Sequence, residues 1–232
     1  MEASDNQTTF QKYWDMTTEW FEPPNRERGG WSGVIKTNVS INGQHIPAFI
    51  KRQENYTTHS LRFLLFNQPT YEREFCNIRL LQKKHIPTLD PLFFGKEGKK
   101  AVLVTKSLEG YAPLSSQIIK ALPNLEQYAL MSVIAETLSQ LHRHRLVHNC
   151  LYPKHIFVKK EQAWCVKLID LEKMRTTLSK GLARKRDFDA LFRKKYGVWN
   201  VRLITQFIRS YYSEKHLSPS SKKMVRQLAT RI

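Results

Sequence analysis

Asn42-Gly43 sits between two stretches of strand-forming residues, 34–41 and 45–51, and this dipeptide limits the fold more than any other feature of the chain. Both residues accept a positive φ at little cost, which the two-residue turn of a tight antiparallel hairpin demands. The return segment ends in Ala48-Phe49-Ile50, directly ahead of Lys51. The spacing of Phe75, Ile78 and Leu81, with Cys76 and Leu80, predicts a helix over 72–84, and Pro87 and Pro91 stop it. Leu92-Phe93-Phe94 and Ala101-Val102-Leu103-Val104 flank the polar turn of FGKEGKKAV, so a second hairpin follows.

After Leu108-Glu109-Gly110 the pattern changes. Leu130, Val133, Ile134, Leu138 and Leu141 form one apolar face of a long helix over 125–145. A short apolar segment, LVHNCLYPKHIFVKK, and a strand-like run over 164–169 ending in Asp170 come next, and everything beyond about Lys180 is helical by pattern. The expected architecture is α+β, with a small N-terminal antiparallel sheet carrying one helix and a larger, mainly helical C-terminal part. The expected divisions are an N-terminal extension over 1–25, a sheet region over 26–107, and a helical region with a basic end over 108–232. The extension is polar with an aromatic patch (Tyr13, Trp14, Trp20, Phe21), closed by Pro23-Pro24.

Composition removes several classes. Of 232 residues 41% are hydrophobic and 11% aromatic, which excludes an intrinsically disordered chain. The longest apolar runs, over 61–66 and 101–105, fall far short of the roughly 18 residues a membrane span needs. The start, MEASDNQTTF, has an early acid and no apolar core, so no secretory signal is expected. Cys76, Cys150 and Cys165 have neither metal nor redox spacing, which predicts a reducing cytoplasm. The net charge is +18, and it is uneven: residues 173–232 hold 16 Lys and Arg against 3 Asp and Glu, leaving +5 for the first 172. Leu191, Phe192, Trp199, Leu203, Phe207 and Tyr211 interleave with these cations, so the region is folded and amphipathic. A basic face attracts nucleic acid, anionic lipid headgroups or a phosphorylated glycolipid, while the plainer reading is a solvated helical face. No groove-reading motif accompanies the charge, which makes nucleic acid an unlikely partner.

Four features occur in the order of a phosphoryl-transfer site. Gly29, Gly30 and Gly33 lie just before a strand, where bare backbone N–H groups can approach phosphate oxygens, though an ordinary turn has the same look and the spacing is not G-x-G-x-x-G. Ala48-Phe49-Ile50-Lys51 puts a lysine after an apolar strand, and Glu72 and Glu74 in the first turn of the next helix offer it a carboxylate. His148 to Val158 has the frame of a kinase catalytic loop, H-R-D-L-x-P-x-N-I-x-V. Finally, Val166-Lys167-Leu168-Ile169-Asp170 ends a strand in an aspartate 15 residues after His155, where a metal-binding carboxylate belongs. Each feature alone has a structural explanation. Their joint order is what points to chemistry.

NRERGGWSGV over 25–34, KRQEN over 51–55, PTYERE over 69–74 and LYPKHIF over 151–157 resemble the lipopolysaccharide kinase InaA family of Gram-negative bacteria. That family is similar to the WaaP (RfaP) heptose kinases and the Kdo kinases of the inner core, and the resemblance covers roughly residues 20–195. It implies a two-lobed protein-kinase-like fold and ATP- and Mg2+-dependent phosphorylation of a sugar hydroxyl of the lipopolysaccharide inner core. It also implies a cytoplasmic setting with peripheral contact at the anionic inner membrane. Carried onto this chain, Lys51 would be the phosphate-binding lysine and Glu74 its partner, with Gly29, Gly30 and Gly33 around the nucleotide. Asp170 would hold the metal, and His155 would occupy the second metal-ligand position, usually Asn. Asp187 in Arg186-Asp187-Phe188 resembles the aspartate that braces the catalytic loop, with Asp189 as its competitor.

One departure stands out. Cys150, after Asn149, occupies the position of the catalytic aspartate. An ordinary thiol, with a pKa of about 8.5, is a poor orienting group for a hydroxyl. Either positioning and metal charge carry a slower transfer, with His148 as the base, or the site binds nucleotide without transfer, as a pseudokinase in a stress or envelope role.

Overall fold

The structure is a computed structural model that describes residues 2–27, 29–56, 68–193 and 197–232. The apolar run over 61–66 lies outside the described residues. The chain divides into two compact units, one of residues 1–80 and 89–109, the other of residues 81–88 and 110–232.

The first unit is built on a five-stranded antiparallel sheet in the order β1-β2-β3-β5-β4. Its strands are β1 (Trp20–Glu27), β2 (Gly30–Ile41), β3 (Gln44–Glu54), β4 (Pro91–Glu97) and β5 (Lys100–Lys106). Asn42 and Gly43 turn β2 into β3 with φ of 51° and 78°, and Ile41 pairs with Gln44, so the loop has the two residues the dipeptide predicts. The central strand β3 sorts its side chains by parity. Ala48 and Ile50 enter an apolar cluster with Ile35, Val39, Val102 and Val104, whereas Lys51 and Gln53 turn to the opposite face, toward α2 (Thr70–Lys83).

That apolar cluster includes Phe10 and Tyr13, which are 2% and 3% exposed. They belong to α1 (Glu2–Trp14), so residues set apart in the sequence as an N-terminal extension instead form a helix that helps cover one face of the sheet. Phe10, Tyr13 and Trp14 recur at i, i+3 and i+4, a helical stripe too short to stand out among polar neighbours. The segment Trp20–Glu27 is a strand, so residues 20–25 of the expected extension also join the sheet. Pro23-Pro24 is tolerated because β1 is an edge strand whose register shifts there.

The second unit centres on α4 (Asn124–Arg143), preceded by the single turn α3 (Gln117–Lys120); Leu130, Met131, Ile134, Leu138 and Leu141 of α4 are buried. A three-stranded sheet pairs β6 (Ala112–Pro113), β8 (Ile156–Lys160) and β9 (Trp164–Leu168), and a two-stranded one pairs β7 (Leu146–Val147) with β10 (Arg175–Thr176). Helices α5 (Lys180–Leu191), α6 (Val201–Tyr211) and α7 (Pro219–Ala229) follow. Phe188, Phe192, Trp199, Phe207 and Tyr211 pack through their centre, mostly edge-to-face, with neighbouring centroids 4.4–6.2 Å apart. The aromatic residues of the basic region are thus its core, and that burial leaves most of the cations at the surface.

Candidate functional site

In the first unit the KRQEN segment at the end of β3 has a separate task for each side chain. Lys51 Nζ donates to both oxygens of Glu74, at 2.7 and 2.8 Å, and lies 5.7 Å from the Tyr71 ring centre. Glu74 is 1% exposed and Lys51 20%. Helical spacing decides which acid is chosen: Tyr71, Glu74, Ile78 and Leu81 share the buried stripe of α2, while Glu72 faces outward and pairs with Lys96 at 3.0 Å. Arg52, on the other face, donates to the carbonyls of Trp14 and Met16 and packs 4.7 Å from the Trp20 ring centre. Gln53 accepts from the N–H of Tyr71 at 2.7 Å and donates to the carbonyl of Tyr56, fixing the entry of α2. Glu54 accepts from the Trp31 indole, and Asn55 donates to the carbonyl of Gly29 at 2.6 Å. The motif locks the glycine turn, the lysine strand and the glutamate helix together.

The three glycines prove to be unalike. Gly29, with φ of 76°, sits in the turn between β1 and β2. Gly30 and Gly33 lie within β2 and not ahead of it. A Cβ on Gly30 would come within 2.3 Å of the Glu54 and Asn55 carbonyl oxygens, and one on Gly33 within 2.6 Å of the Trp20 ring. Close backbone and ring packing accounts for the absence of a side chain at both.

In the second unit the loop 148–155 is held from beneath by Asp187, which is fully buried. Its Oδ2 accepts from the His148 N–H at 2.9 Å and faces His142 Nε2 at 3.0 Å; its Oδ1 accepts from the Asn149 N–H at 2.9 Å. His142 in turn meets the Tyr211 hydroxyl at 2.8 Å, and burial drives the Tyr211 pKa far above the ordinary phenol range. Asp189 lies at the surface against Arg231, which settles the competition between the two aspartates. His142 and Tyr211 escaped the sequence reading because nothing local marks them; only their meeting across α4, α5 and α6 does.

His148, read from the sequence as a base, is fully buried, with Nε2 2.9 Å from the Ile169 carbonyl oxygen. Its Nδ1 has no partner among the described residues. His155 donates from Nδ1 to the Cys150 carbonyl at 2.7 Å, which assigns the proton to that nitrogen. Burial outweighs the neighbouring Asp170 charge and lowers the His155 pKa, so the ring is neutral at pH 7. Its Nε2 lone pair then faces Asp170 Oδ2 at 3.2 Å, two acceptors with no proton between them. That separation matches neighbouring ligands around one divalent ion with bonds of about 2.0–2.1 Å. Among the described residues no cluster of three or more His, Cys, Asp or Glu is placed to hold a metal ion. Asp170 and Asn149 both have positive φ, 60° and 67°, so the loop and the strand end hold strained backbone. The Cys150 thiol is 7% exposed, and burial pushes its pKa up against the opposing charge of Lys173.

The model of the lipopolysaccharide kinase (Kdo/WaaP) family matches residues 11–211. The chain belongs to that family. Protein InaA of Escherichia coli (strain K12) is 29% identical over 221 residues, spanning 91% of this chain and 99% of InaA. Among solved structures, WaaP in complex with acyl carrier protein superposes with a TM-score of 0.64 at 18% identity, over 96% of this chain and 87% of that one. An aminoglycoside-3'-phosphotransferase of type VIII gives 0.58 at 13% identity, over 98% of both chains. At such identities the likeness is one of fold, and it confirms the expected kinase-like α+β architecture.

Proposed function

We propose that the chain transfers the γ-phosphoryl group of ATP to a sugar hydroxyl of the lipopolysaccharide inner core, heptose or Kdo, on the cytoplasmic side of the inner membrane. The observation that carries this reading is the bidentate Lys51–Glu74 pair, which fixes an ammonium on a central strand instead of leaving it to solvent. Lys51 is the residue for the α- and β-phosphates. Asp170 and His155 are the residues for a divalent ion, Mg2+ or, because one donor is an imidazole, Mn2+. The ion, when bound, neutralises charge on the phosphoryl oxygens. Asp187 and His148 are positioning residues: the first holds two backbone N–H groups of the loop, and the second ties the loop to the carbonyl just before Asp170. With its pKa raised by burial, the Cys150 thiol keeps its proton at neutral pH and does not take one from the acceptor. A loose transition state needs little help from a base, so transfer proceeds without one, more slowly than with an orienting carboxylate in the loop.

The same thiol favours a second reading, a pseudokinase that binds nucleotide without transfer. The test is purified protein with labelled ATP, Mg2+ or Mn2+, and core oligosaccharide, read by mass spectrometry for one added phosphate. Asp170→Asn is the cleaner inactive variant, because Asn also tolerates positive φ, whereas Lys51→Ala strands the buried Glu74 carboxylate at a cost of about 3–5 kcal/mol. Transfer lost in Asp170→Asn supports the kinase, and full transfer retained there defeats it. Nucleotide-dependent thermal stabilisation without transfer supports the second reading. Cys150→Asp is expected to raise the rate, by about 100-fold if a general base is what the loop lacks.

A further inference from the structure

We propose that a face of the second unit, formed by residues 83–85, 143–145 and 173–186, docks on an anionic lipid bilayer, with Leu178 entering the headgroup region. The three segments meet in space. Lys84 Nζ lies 3.3 Å from His144 Nδ1, the Thr177 N–H and hydroxyl donate to the Arg145 carbonyl at 2.8 and 3.1 Å, and Arg175 pairs with Val147 between β10 and β7. Two Lys or Arg come from the first segment and two from the second; of the six in the third, Arg175, Lys180, Lys185 and Arg186 are exposed, whereas Arg184 turns to Tyr212 and Lys173 lies beside Glu172, and none of the three segments holds an Asp or Glu.

Leu178, in the third segment, is 86% exposed, and Leu182, one helical turn further on, is 45% exposed. Leu178 immediately precedes Ser179, the N-cap of α5, where an apolar residue commonly folds back on the fourth helical residue. Here that residue, Ala183, is buried and Leu178 remains in solvent. A merely solvated basic face gains nothing from two exposed leucines. Nor does a nucleic-acid surface, whose phosphates reward cations alone. Exposed cations in the same segment as exposed aliphatic side chains fit the interface of a bilayer carrying negative headgroups, where charge attracts and apolar area anchors. Among the described residues no helix is long and apolar enough to cross a membrane. The inference stands apart from phosphoryl transfer and does not depend on it.

The test is sedimentation of the full chain with vesicles of phosphatidylcholine alone or of phosphatidylcholine with an equal share of phosphatidylglycerol. Binding is expected only to the anionic vesicles, and it weakens as salt is raised. Leu178→Ser, which leaves the charge unchanged, is expected to lower partitioning about tenfold, the scale for withdrawing one leucine from an apolar environment. Lys185→Gln with Arg186→Gln should lower it by about fivefold for each charge removed. Lys222→Gln with Lys223→Gln, equal in charge change but on α7, should have little effect. Thermal melts matching the unaltered chain show that each variant folds. Equal binding by Leu178→Ser, an equal loss from the α7 variant, or absence of binding to the anionic vesicles, whether or not the chain binds RNA, would each overturn the proposal.

Discussion

Replacing Asp187 by Asn tests how the loop 148–155 is held. The carboxylate takes three hydrogen bonds with no exposure to water, from His148, Asn149 and His142. An amide of the same shape has one oxygen. If that oxygen serves His148 and His142, the NH2 group points at the N–H of Asn149, donor against donor. One charge-assisted bond, worth about 1.5–3 kcal/mol, is lost, and the other two weaken by roughly half as the acceptor becomes neutral. The total is about 3–6 kcal/mol, a large share of the ~5–15 kcal/mol that holds a typical protein folded. In a chain of this size each kcal/mol moves the melting temperature by about 2–4 °C, so a fall on the order of 10 °C or more is expected. Differential scanning calorimetry measures it, and hydrogen exchange at His148 and Asn149 should accelerate beyond what the global change explains. Asp189→Asn is the control, since its carboxylate is 41% exposed beside Arg231 and its loss should cost about 1 kcal/mol or less. If Asp187→Asn melts within about 2 °C of the parent, or no lower than Asp189→Asn, the carboxylate does not brace the loop.

Two further outcomes follow from packing and burial. Gly30→Ala pushes a Cβ against carbonyl oxygens that are not free to rotate away, and should cost more in urea unfolding than Gly43→Ala, which meets open space and bears only the roughly 1–2 kcal/mol of a positive φ; the reverse order would refute the close approach. Burial raises the pKa of Tyr211, Tyr212, Tyr13 and Cys150. The unfolded chain therefore releases these protons first, and the stability they contribute is whole below their ordinary values, about 8.5 for the thiol and about 10 for the phenols, and declines as pH rises toward the folded values. Thermal melts should weaken above about pH 8.5, and Tyr211→Phe should start lower at neutral pH but lose less above about pH 10; an unchanged alkaline slope in that variant would contradict the burial of its hydroxyl.

Local signals carried much of the fold. Asn42-Gly43 specified a hairpin because its backbone preference holds in any context, and the spacing along residues 72–84 and 125–145 specified helices because side-chain periodicity is a property of the segment itself. The order of lysine, glutamate, loop and aspartate was legible for the same reason, as was the departure at Cys150. The sequence set the candidates at each position, but several choices were left equal. Glu72 and Glu74 are both acids in one turn, and Asp187 and Asp189 are both acids in another.

Tertiary packing broke those ties. Glu74 pairs with Lys51 because its face of α2 is the buried one, and Asp187 braces the loop because α5 turns it inward while Asp189 stays in water. Packing also made α1 part of the sheet's core, gave Gly30 and Gly33 steric reasons to lack a side chain, and enclosed His148 and the Cys150 thiol. These properties depend on groups far apart in the chain and on how much water reaches them. Neither distance in space nor solvation is written in a run of neighbouring residues, so the sequence supplied the candidate groups and the fold decided their partners and their exposure.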